Sequence, residues 1–209
     1  MLIKFKVRGN LRFLSHAETV KVFQRACVRA GIKTAYRRGF NPRPKLSLPL
    51  PRSVGVESDD ELLCLRVETS ASPFNTKRFK AKLSCQLPEG FELLTVSAAP
   101  APLGASAATY VLSVRQEYLN EKLKTRIKRL LASESLNLQR RIDARGNTHN
   151  VDVRGFLKSI EAYENNVLVE CKISSTGSIR VDEILELLEL DVEKLTAPIR
   201  RTSVKWQES

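Results

Sequence analysis

The stretch that decides the fold is Ala98-Ala-Pro-Ala-Pro-Leu-Gly-Ala-Ser-Ala-Ala108. It carries no charge and includes two prolines and a glycine, a composition that favours an extended connection over a packed element. It lies near the middle of the 209 residues, so each side has about the length of a small domain. The sequence therefore predicts two lobes, at residues 1–98 and 109–209, joined by a linker at residues 99–108.

The first lobe contains patterns for four strands and two helices. Leu2–Val7 alternates apolar and basic residues, as a half-buried strand does. Ser15 and Glu18 have the spacing of a capping box and Gly31 suits the position after a helix C-terminus, so a helix is predicted at Ala17–Ala30. The other predicted elements are strands at Ile32–Tyr36, Glu61–Thr69 and Phe91–Ser97, and a helix that Ser72 caps, with Pro73 at its first position.

The second lobe repeats this element order without a repeat at the residue level. Apolar residues at helical spacing predict a helix at Glu117–Ser133, and a second helix at Ile179–Leu190 has an acidic outer face. Val151–Ala162 is expected to form a turn or a helix. Strands are predicted at Thr109–Arg115, Leu136–Ile142, Val167–Ile173 and Thr202–Trp206. The predicted fold class is α+β, with two tandem ferredoxin-like (βαββαβ) lobes.

The positive charge of the chain is concentrated at its start. The net charge is +12, and residues 1–52 hold thirteen of the 35 basic residues but only one of the 23 acidic ones, Glu18. The rest of the chain is therefore neutral. A strongly basic surface usually serves a polyanionic partner. The alternative interpretation is a solubilising face.

The segment Arg37-Arg-Gly-Phe-Asn-Pro-Arg-Pro-Lys-Leu-Ser-Leu-Pro-Leu-Pro-Arg52 is the strongest candidate for binding that polyanion. Its four prolines keep it extended, so less conformational entropy is lost on binding. Arginine forks suit bidentate phosphate contacts and a lysine acts as a point charge. The candidate cations are Arg37, Arg38, Arg43, Lys45 and Arg52.

Two further residues of this segment have more than one interpretation. Phe40 can stack on an unpaired base, as in single-stranded RNA recognition, or plug into the core between strands. Asn41 precedes Pro42 and favours a turn. The prolines can also be a device that protects a sheet edge from aggregation.

A second candidate site lies where the first strand meets the first helix. The N-terminus of a helix offers free N–H groups to an anion, and Arg12 and His16 flank it. His16 is able to contact phosphate or act as a general base, or it is a structural residue near the helix start.

The sequence contains no pattern for metal or cofactor chemistry. The four cysteines form no close pair, and P-loop and dinucleotide-binding motifs are absent. Asp59, Asp60 and Glu61 are adjacent and are interpreted as a solvated strand start. We expect no metal, no cofactor and no membrane span, a cytosolic location, and a binding protein rather than an enzyme.

Two motifs of the first lobe occur together, Leu11-Arg-Phe-Leu-Ser-His16 and Gly39-Phe-Asn-Pro-Arg-Pro-Lys45. Further segments accompany them: Arg25–Gly31, Gly55–Ser58, Val151–Arg154, Gly177–Glu183 and Arg200–Thr202. With these segments the chain resembles the radical-SAM-linked family, bacterial proteins of unknown function, over most of its length. Where many members have Leu-Asp after the histidine, this chain has Ala17-Glu18, a change that suits a helix-capping acid better than a catalytic one.

The resemblance implies an accessory role in RNA or ribosome modification. Family members occur fused to, or encoded beside, cobalamin-binding radical SAM proteins, so a radical SAM protein is the expected partner and supplies any radical chemistry. Two alternatives stay open. One is an RNA-modifying enzyme with a pseudouridine-synthase-like tandem-lobe arrangement, which needs a carboxylate in the basic cleft. The other is a protein-interaction scaffold that uses the acidic helix at Glu183–Glu189.

Overall fold

The structure is a computed structural model, and it describes residues 1–40, 42–68, 74–98, 103–141 and 146–208. The described chain is mixed α+β, with mostly antiparallel strands and four α-helices. It divides into two compact units. The first unit contains Met1–Gly104 and Trp206–Ser209, and the second contains Ala105–Lys205. Residues 99–102 of the predicted linker lie outside the described residues, and residues 103–108 belong to a strand.

The first unit has a four-stranded antiparallel arrangement. Its strands lie in the order β4 (Phe91–Ser97), β1 (Leu2–Val7), β3 (Glu57–Leu65) and β2 (Leu46–Ser47). The strand predicted at Ile32–Tyr36 contributes only isolated bridges at Thr34 and Tyr36. The strand predicted at Glu61–Thr69 begins earlier, at Glu57, and ends at Leu65. The elements are β1 (Leu2–Val7), α1 (His16–Arg29), β2 (Leu46–Ser47), β3 (Glu57–Leu65), α2 (Thr76–Ser84) and β4 (Phe91–Ser97).

The core of the first unit follows from the alternation of β1. Successive strand residues point to opposite faces, and Ile3, Phe5 and Val7 are fully buried on one of them. The ring of Phe5 packs edge-on against Phe23 of α1, with 4.7 Å between ring centroids. On the other face, Leu2, Leu62 and Cys64 form a smaller cluster that Trp206 packs against.

Helix α1 begins and ends within one residue of its predicted bounds. The Ser15 side chain accepts a hydrogen bond from the backbone N–H of Glu18, and the Glu18 carboxylate accepts one from the backbone N–H of Ser15. These bonds satisfy N–H groups that have no partner inside the helix. Gly31 follows the helix with a φ of +66°, a conformation that glycine adopts without steric cost.

The second unit has the strand order β10–β5–β9–β8, and a separate hairpin pairs β6 with β7. The predicted strand at Leu136–Ile142 therefore pairs only within this hairpin, as β6. The elements are β5 (Leu103–Ser113), α3 (Glu121–Ala132), β6 (Asn137–Arg141), β7 (Thr148–Asp152), β8 (Leu157–Tyr163), β9 (Asn166–Lys172), α4 (Val181–Leu188) and β10 (Arg200–Glu208).

Strand β8 lies where a turn or helix was predicted. The buried residues Leu157 and Ile160 are three positions apart, which is helical spacing. In the structure this spacing comes from a register shift between Leu157 and Ser159, where the chain bulges against β9. An extra residue in one strand changes the face of the residues after it, so the apolar pattern imitates a helix.

The predicted acidic outer face of α4 is wrong at Glu183, which is buried. Its carboxylate accepts two hydrogen bonds from the Arg140 side chain, at 2.5 Å from Nε and 2.8 Å from Nη2. Glu189 pairs with Arg126 and Lys122 of α3. Only Asp182 and Glu186 are exposed on this helix. Among the described helices, none is long and apolar enough to cross a membrane.

Candidate nucleic-acid interface

The basic loop leaves the edge of the first unit between Ala35 and Lys45. The Lys45 N–H donates to the Ala35 carbonyl at 2.7 Å, and the Arg37 N–H donates to the Arg43 carbonyl at 2.9 Å. Beside this neck, the Ala35 N–H donates to the Arg66 carbonyl, and the Arg66 N–H donates to the Lys45 carbonyl. The chain thus departs after Ala35 and returns at Lys45. We call residues 37–43 the bulge.

The described side chains of the bulge are exposed to solvent. Arg37, Arg38 and Arg43 are exposed, and no described side chain forms an ion pair or hydrogen bond with them. Phe40 is fully exposed at 108%, so the alternative that it plugs into the core is wrong. Tyr36, just before the bulge, is 48% exposed. Exposed aromatic rings among unpaired cations leave this surface available to a partner.

Asn41 and Lys45 were predicted to bind the ligand together with these arginines. Asn41 lies outside the described residues. Lys45 is half-buried at the neck, where its backbone groups bond to Ala35 and Arg66.

The basic residues of β1, and Arg8 directly after it, pair with acidic residues of the first unit. Lys4 pairs with Asp60 at 3.1 Å, and Lys6 pairs with Glu92 at 3.2 Å. Arg8 pairs with Asp59 and lies 3.7 Å from a Glu57 carboxylate oxygen. Glu57, Asp59 and Asp60 lie after residue 52, so a charge count over residues 1–52 leaves out these acidic partners. Part of the excess charge of residues 1–52 is consequently balanced within the first unit.

Arg52 is engaged with the backbone. Its guanidinium donates to the carbonyls of Arg12 at 2.7 Å and Val56 at 2.5 Å, and more weakly to those of Leu11, Leu14 and Ser53. These bonds hold the 3₁₀ turn at Gly9–Phe13 against the segment that leads into β3. We therefore expect Arg52 to shape the site rather than contact a phosphate.

Arg12 and His16 lie at the start of α1, as predicted. The Arg12 guanidinium donates to the Gly9 carbonyl at 2.9 Å and lies 4.3 Å from the centroid of the Phe13 ring. His16 is the first residue of α1 and is exposed. Hydrogen bonds from the Ser15 side chain and backbone hold the pKa of the exposed Glu18 carboxylate below its ordinary value. Glu18 therefore acts as the helix-capping acid.

The structure places the predicted residues in two groups. Strand β3 pairs Glu61 with Phe5, and the neck of the bulge bonds to Arg66, five residues further along. At about 3.3 Å per residue, the two positions are roughly 16 Å apart. Arg12, His16 and Arg52 belong to the Glu61 end, whereas the bulge arginines and Phe40 belong to the other.

Glu61 is the residue that the sequence interpretation missed. It is only 3% exposed, so the prediction of a solvated strand start is wrong. Glu61, Leu63 and Leu65 share the helix-covered face of β3, because residues two apart point the same way. This alternation is visible in the sequence and could have placed Glu61 on the buried face of the strand. It lines a small pocket with Phe5, Val7, His16, Thr19, Leu48, Leu50 and Arg52.

Within the described ranges, no group of three or more His, Cys, Asp or Glu side chains could hold a metal ion. None of the four cysteines, which all lie in the described ranges, forms a disulfide; Cys27, Cys64 and Cys171 are buried whereas Cys85 is exposed. Burial raises the pKa of the Cys27 thiol to about 11, which makes it a poor nucleophile at neutral pH.

The model of one protein family matches residues 1–182 of the chain. Its description is "uncharacterized protein conserved in bacteria (DUF2344)". No curated protein matches the chain.

Proposed function

The chain belongs to the uncharacterized, bacterially conserved family DUF2344, and we propose that it is an RNA-binding protein that contacts its ligand through the bulge. The observation that carries this proposal is the exposure of Phe40 among Arg37, Arg38 and Arg43, which have no partner among the described side chains.

The charge distribution supports a polyanionic ligand. Lys4 and Lys6 of β1, and Arg8 after it, have acidic partners, so they add little to the field outside the first unit. The bulge arginines have none among the described residues. Guanidinium forks bind phosphate oxygens bidentately and are more weakly hydrated than lysine, so these three positions are suited to a phosphate backbone.

The exposed rings support a ligand with unpaired bases. Stacking of a base on an aromatic side chain contributes about 1–3 kcal/mol and tolerates any sequence. Tyr36, just before the bulge, and Phe40, within it, offer such surfaces. In a duplex the base faces are already stacked, so a single strand or a loop uses these rings better.

The direct test replaces Arg37, Arg38 and Arg43 together by alanine. We expect weaker binding of a single-stranded RNA oligonucleotide by fluorescence anisotropy. The slope of log affinity against log salt should fall by about 2, because each lost single-strand phosphate contact removes roughly 0.7.

The matched control replaces Lys77, Arg78 and Lys82 of α2, three exposed cations of the same unit, by alanine. It removes the same net charge from a different place. Equal loss of affinity in both variants would show that only net charge matters, and an unchanged salt slope in the bulge variant would contradict the proposal.

We also propose that both units are ferredoxin-like lobes. In the first, the order β4–β1–β3–β2 with two helices supports a βαββαβ arrangement. In the second, the order β10–β5–β9–β8 supports the same arrangement if the β6–β7 hairpin is an insertion between α3 and β8.

The biological setting that we propose is an accessory role beside a radical SAM protein in RNA or ribosome modification, in the cytosol. It rests on the resemblance of the motifs at Leu11–His16 and Gly39–Lys45. The scaffold alternative loses support because Glu183 and Glu189 already have partners within the second unit. The enzyme alternative has a buried acid in Glu61, but the pocket beside it is too small for a nucleotide ring.

A further inference from the structure

The Phe13 ring lies at the surface of the first unit, far from the bulge. Phe13 ends the 3₁₀ turn at Gly9–Phe13 and is 55% exposed. Val54, 60% exposed, belongs to a neighbouring turn, whose Gly55 N–H donates to the Arg12 carbonyl at 2.9 Å. Two exposed apolar side chains on adjacent turns offer a surface to a partner.

The turn that carries Phe13 is fixed by hydrogen bonds at its start and at its end. At the start, the Arg8 N–H donates to the Gly90 carbonyl at 2.8 Å. At the end, the Arg52 guanidinium donates to three carbonyls around the ring, those of Leu11, Arg12 and Leu14. A contact made from such a pre-organised segment loses less conformational entropy on binding.

The Arg12 guanidinium covers one face of the Phe13 ring. Its central carbon lies 4.3 Å from the ring centroid, and the same group donates to the Gly9 carbonyl at 2.9 Å. Because more than half of Phe13 is still exposed, its exposed surface is the other face of the ring and its edge. A free aromatic face next to a guanidinium repeats the combination of the bulge, where Phe40 lies among arginines.

We propose that the free face of Phe13 stacks on one unpaired base of the bound RNA, an inference that rests on the proposed function. A ring in this position stacks on any base, because every base has a π-face. The described contacts of the Arg12 side chain are the Gly9 carbonyl and the Phe13 ring, neither of which neutralises its charge. That charge attracts the phosphates on either side of the stacked base, and it favours a nucleic acid over an apolar protein surface.

The two stacking sites lie at opposite ends of α1 and of β3. Helix α1 begins three residues after Phe13, and its 14 residues at about 1.5 Å each make it roughly 21 Å long. The turn of Phe13 meets the start of β3, where the Gly9 N–H donates to the Glu57 carboxylate, and the neck of the bulge meets Arg66 just beyond its end. At about 3.4 Å per stacked nucleotide, roughly six to nine nucleotides cover a separation of this order. RNA that reaches both rings is therefore a single strand of at least that length.

The experiment measures the affinity of the full chain for an oligouridine of about fifteen nucleotides by fluorescence anisotropy, a length that exceeds the separation of the two sites. Uridines stack weakly on one another, so their faces are free to meet the protein. Phe13→Leu removes the ring but keeps an apolar side chain, and we expect about tenfold weaker binding, because one stack of a base on a ring is lost. Phe13→Tyr keeps the ring and should bind as the native chain does.

The matched control is Tyr163→Leu, which removes an exposed ring from the second unit and should leave the affinity unchanged. If Phe13→Leu binds as tightly as the native chain, or if both variants lose affinity equally, the inference is overturned and the proposed function stands. An unchanged affinity of Phe13→Leu would leave the exposed ring to a protein partner. If the native chain does not bind the oligouridine, the proposed function itself fails, and the inference fails with it.

A second measurement uses the native chain and does not depend on the folding of a variant. Uridines in the RNA are replaced by 5-iodouridine, which crosslinks under ultraviolet light to an aromatic side chain stacked on it. After digestion with trypsin, mass spectrometry should find two crosslinked peptides, one that begins at Phe13 and one that contains Phe40. Crosslinks to Phe40 without any to Phe13 would overturn the inference and support the proposed function.

Discussion

Arg52 and the bulge arginines come from one sequence segment, and all were predicted to contact phosphate. In the structure, Arg52 donates hydrogen bonds to backbone carbonyls, whereas Arg37, Arg38 and Arg43 are exposed. Neighbours in sequence did not distinguish them, because three of the carbonyls that Arg52 binds, those of Leu11, Arg12 and Leu14, lie about forty residues earlier in the chain.

The Arg140–Glu183 pair gives a prediction about acid stability. Burial by itself raises the pKa of Glu183, but hydrogen bonds from the Arg140 side chain and the Arg180 backbone, with both positive charges, outweigh it and lower the pKa. A carboxyl whose folded pKa is lowered contributes stability above its unfolded pKa. That stability is lost as the pH falls through the folded value.

We therefore expect Glu183→Gln to lower the free energy of unfolding by roughly 3 kcal/mol at pH 7, because it leaves a buried guanidinium without its charged partner. The difference from the native protein should shrink below about pH 4.5. Urea unfolding at pH 7 and at pH 3.5 measures it. Glu186→Gln, an exposed position on the same helix, should have little effect at either pH. A constant difference across this pH range would contradict the assignment.

At the scale of elements, predictions succeeded where the signal was local and failed where distant pairing set the geometry. The α1 helix depends on Ser15, Glu18 and Gly31, all close in sequence, and it was correctly predicted. Strand β8 was missed because its bulge depends on β9. The basic bulge was recognised from its prolines and cations, whereas its distance from His16 depends on the register of β3, which no local pattern reports.

The neck of the bulge predicts that this loop is dispensable for folding. Because Lys45 and Ala35 are already hydrogen-bonded, replacing residues 37–43 with Asn-Gly should close a tight connection between them. We expect the melting temperature to change by only a few degrees and RNA binding to be lost. Calorimetry and anisotropy measure the two effects. A variant that does not fold, or that binds RNA as before, would argue against this separation of scaffold and interface.

For the whole molecule, the net charge of the sequence does not show which charged residues pair with one another in the folded protein. The net charge of +12 arises from residues 1–52. However, Lys4, Lys6 and Arg8 form ion pairs with acidic residues that lie beyond residue 52. Composition cannot show this, because it carries no information on which strands become neighbours. The predicted α+β class, by contrast, follows from element patterns alone and agrees with the described structure.

The proposed partner is tested on the intact chain. We expect an affinity-tagged chain, expressed in a bacterium that encodes the protein, to recover a radical SAM protein identifiable by mass spectrometry. Recovery should persist after Arg37, Arg38 and Arg43 are replaced by alanine, because these residues are proposed to bind RNA. If no radical SAM protein is enriched over an untagged control, the proposed accessory role is wrong.

Trp206 has a consequence for the timing of synthesis. Its ring packs on Leu2, Leu62 and Cys64, and its indole N–H donates to Asp60 at 3.2 Å, so it completes the core of the first unit. The ribosome makes Trp206 about a hundred residues after Gly104, roughly 5–20 seconds later at ordinary elongation rates. During that interval the nascent first unit exposes a hydrophobic face, a natural binding site for a chaperone until translation reaches the tryptophan.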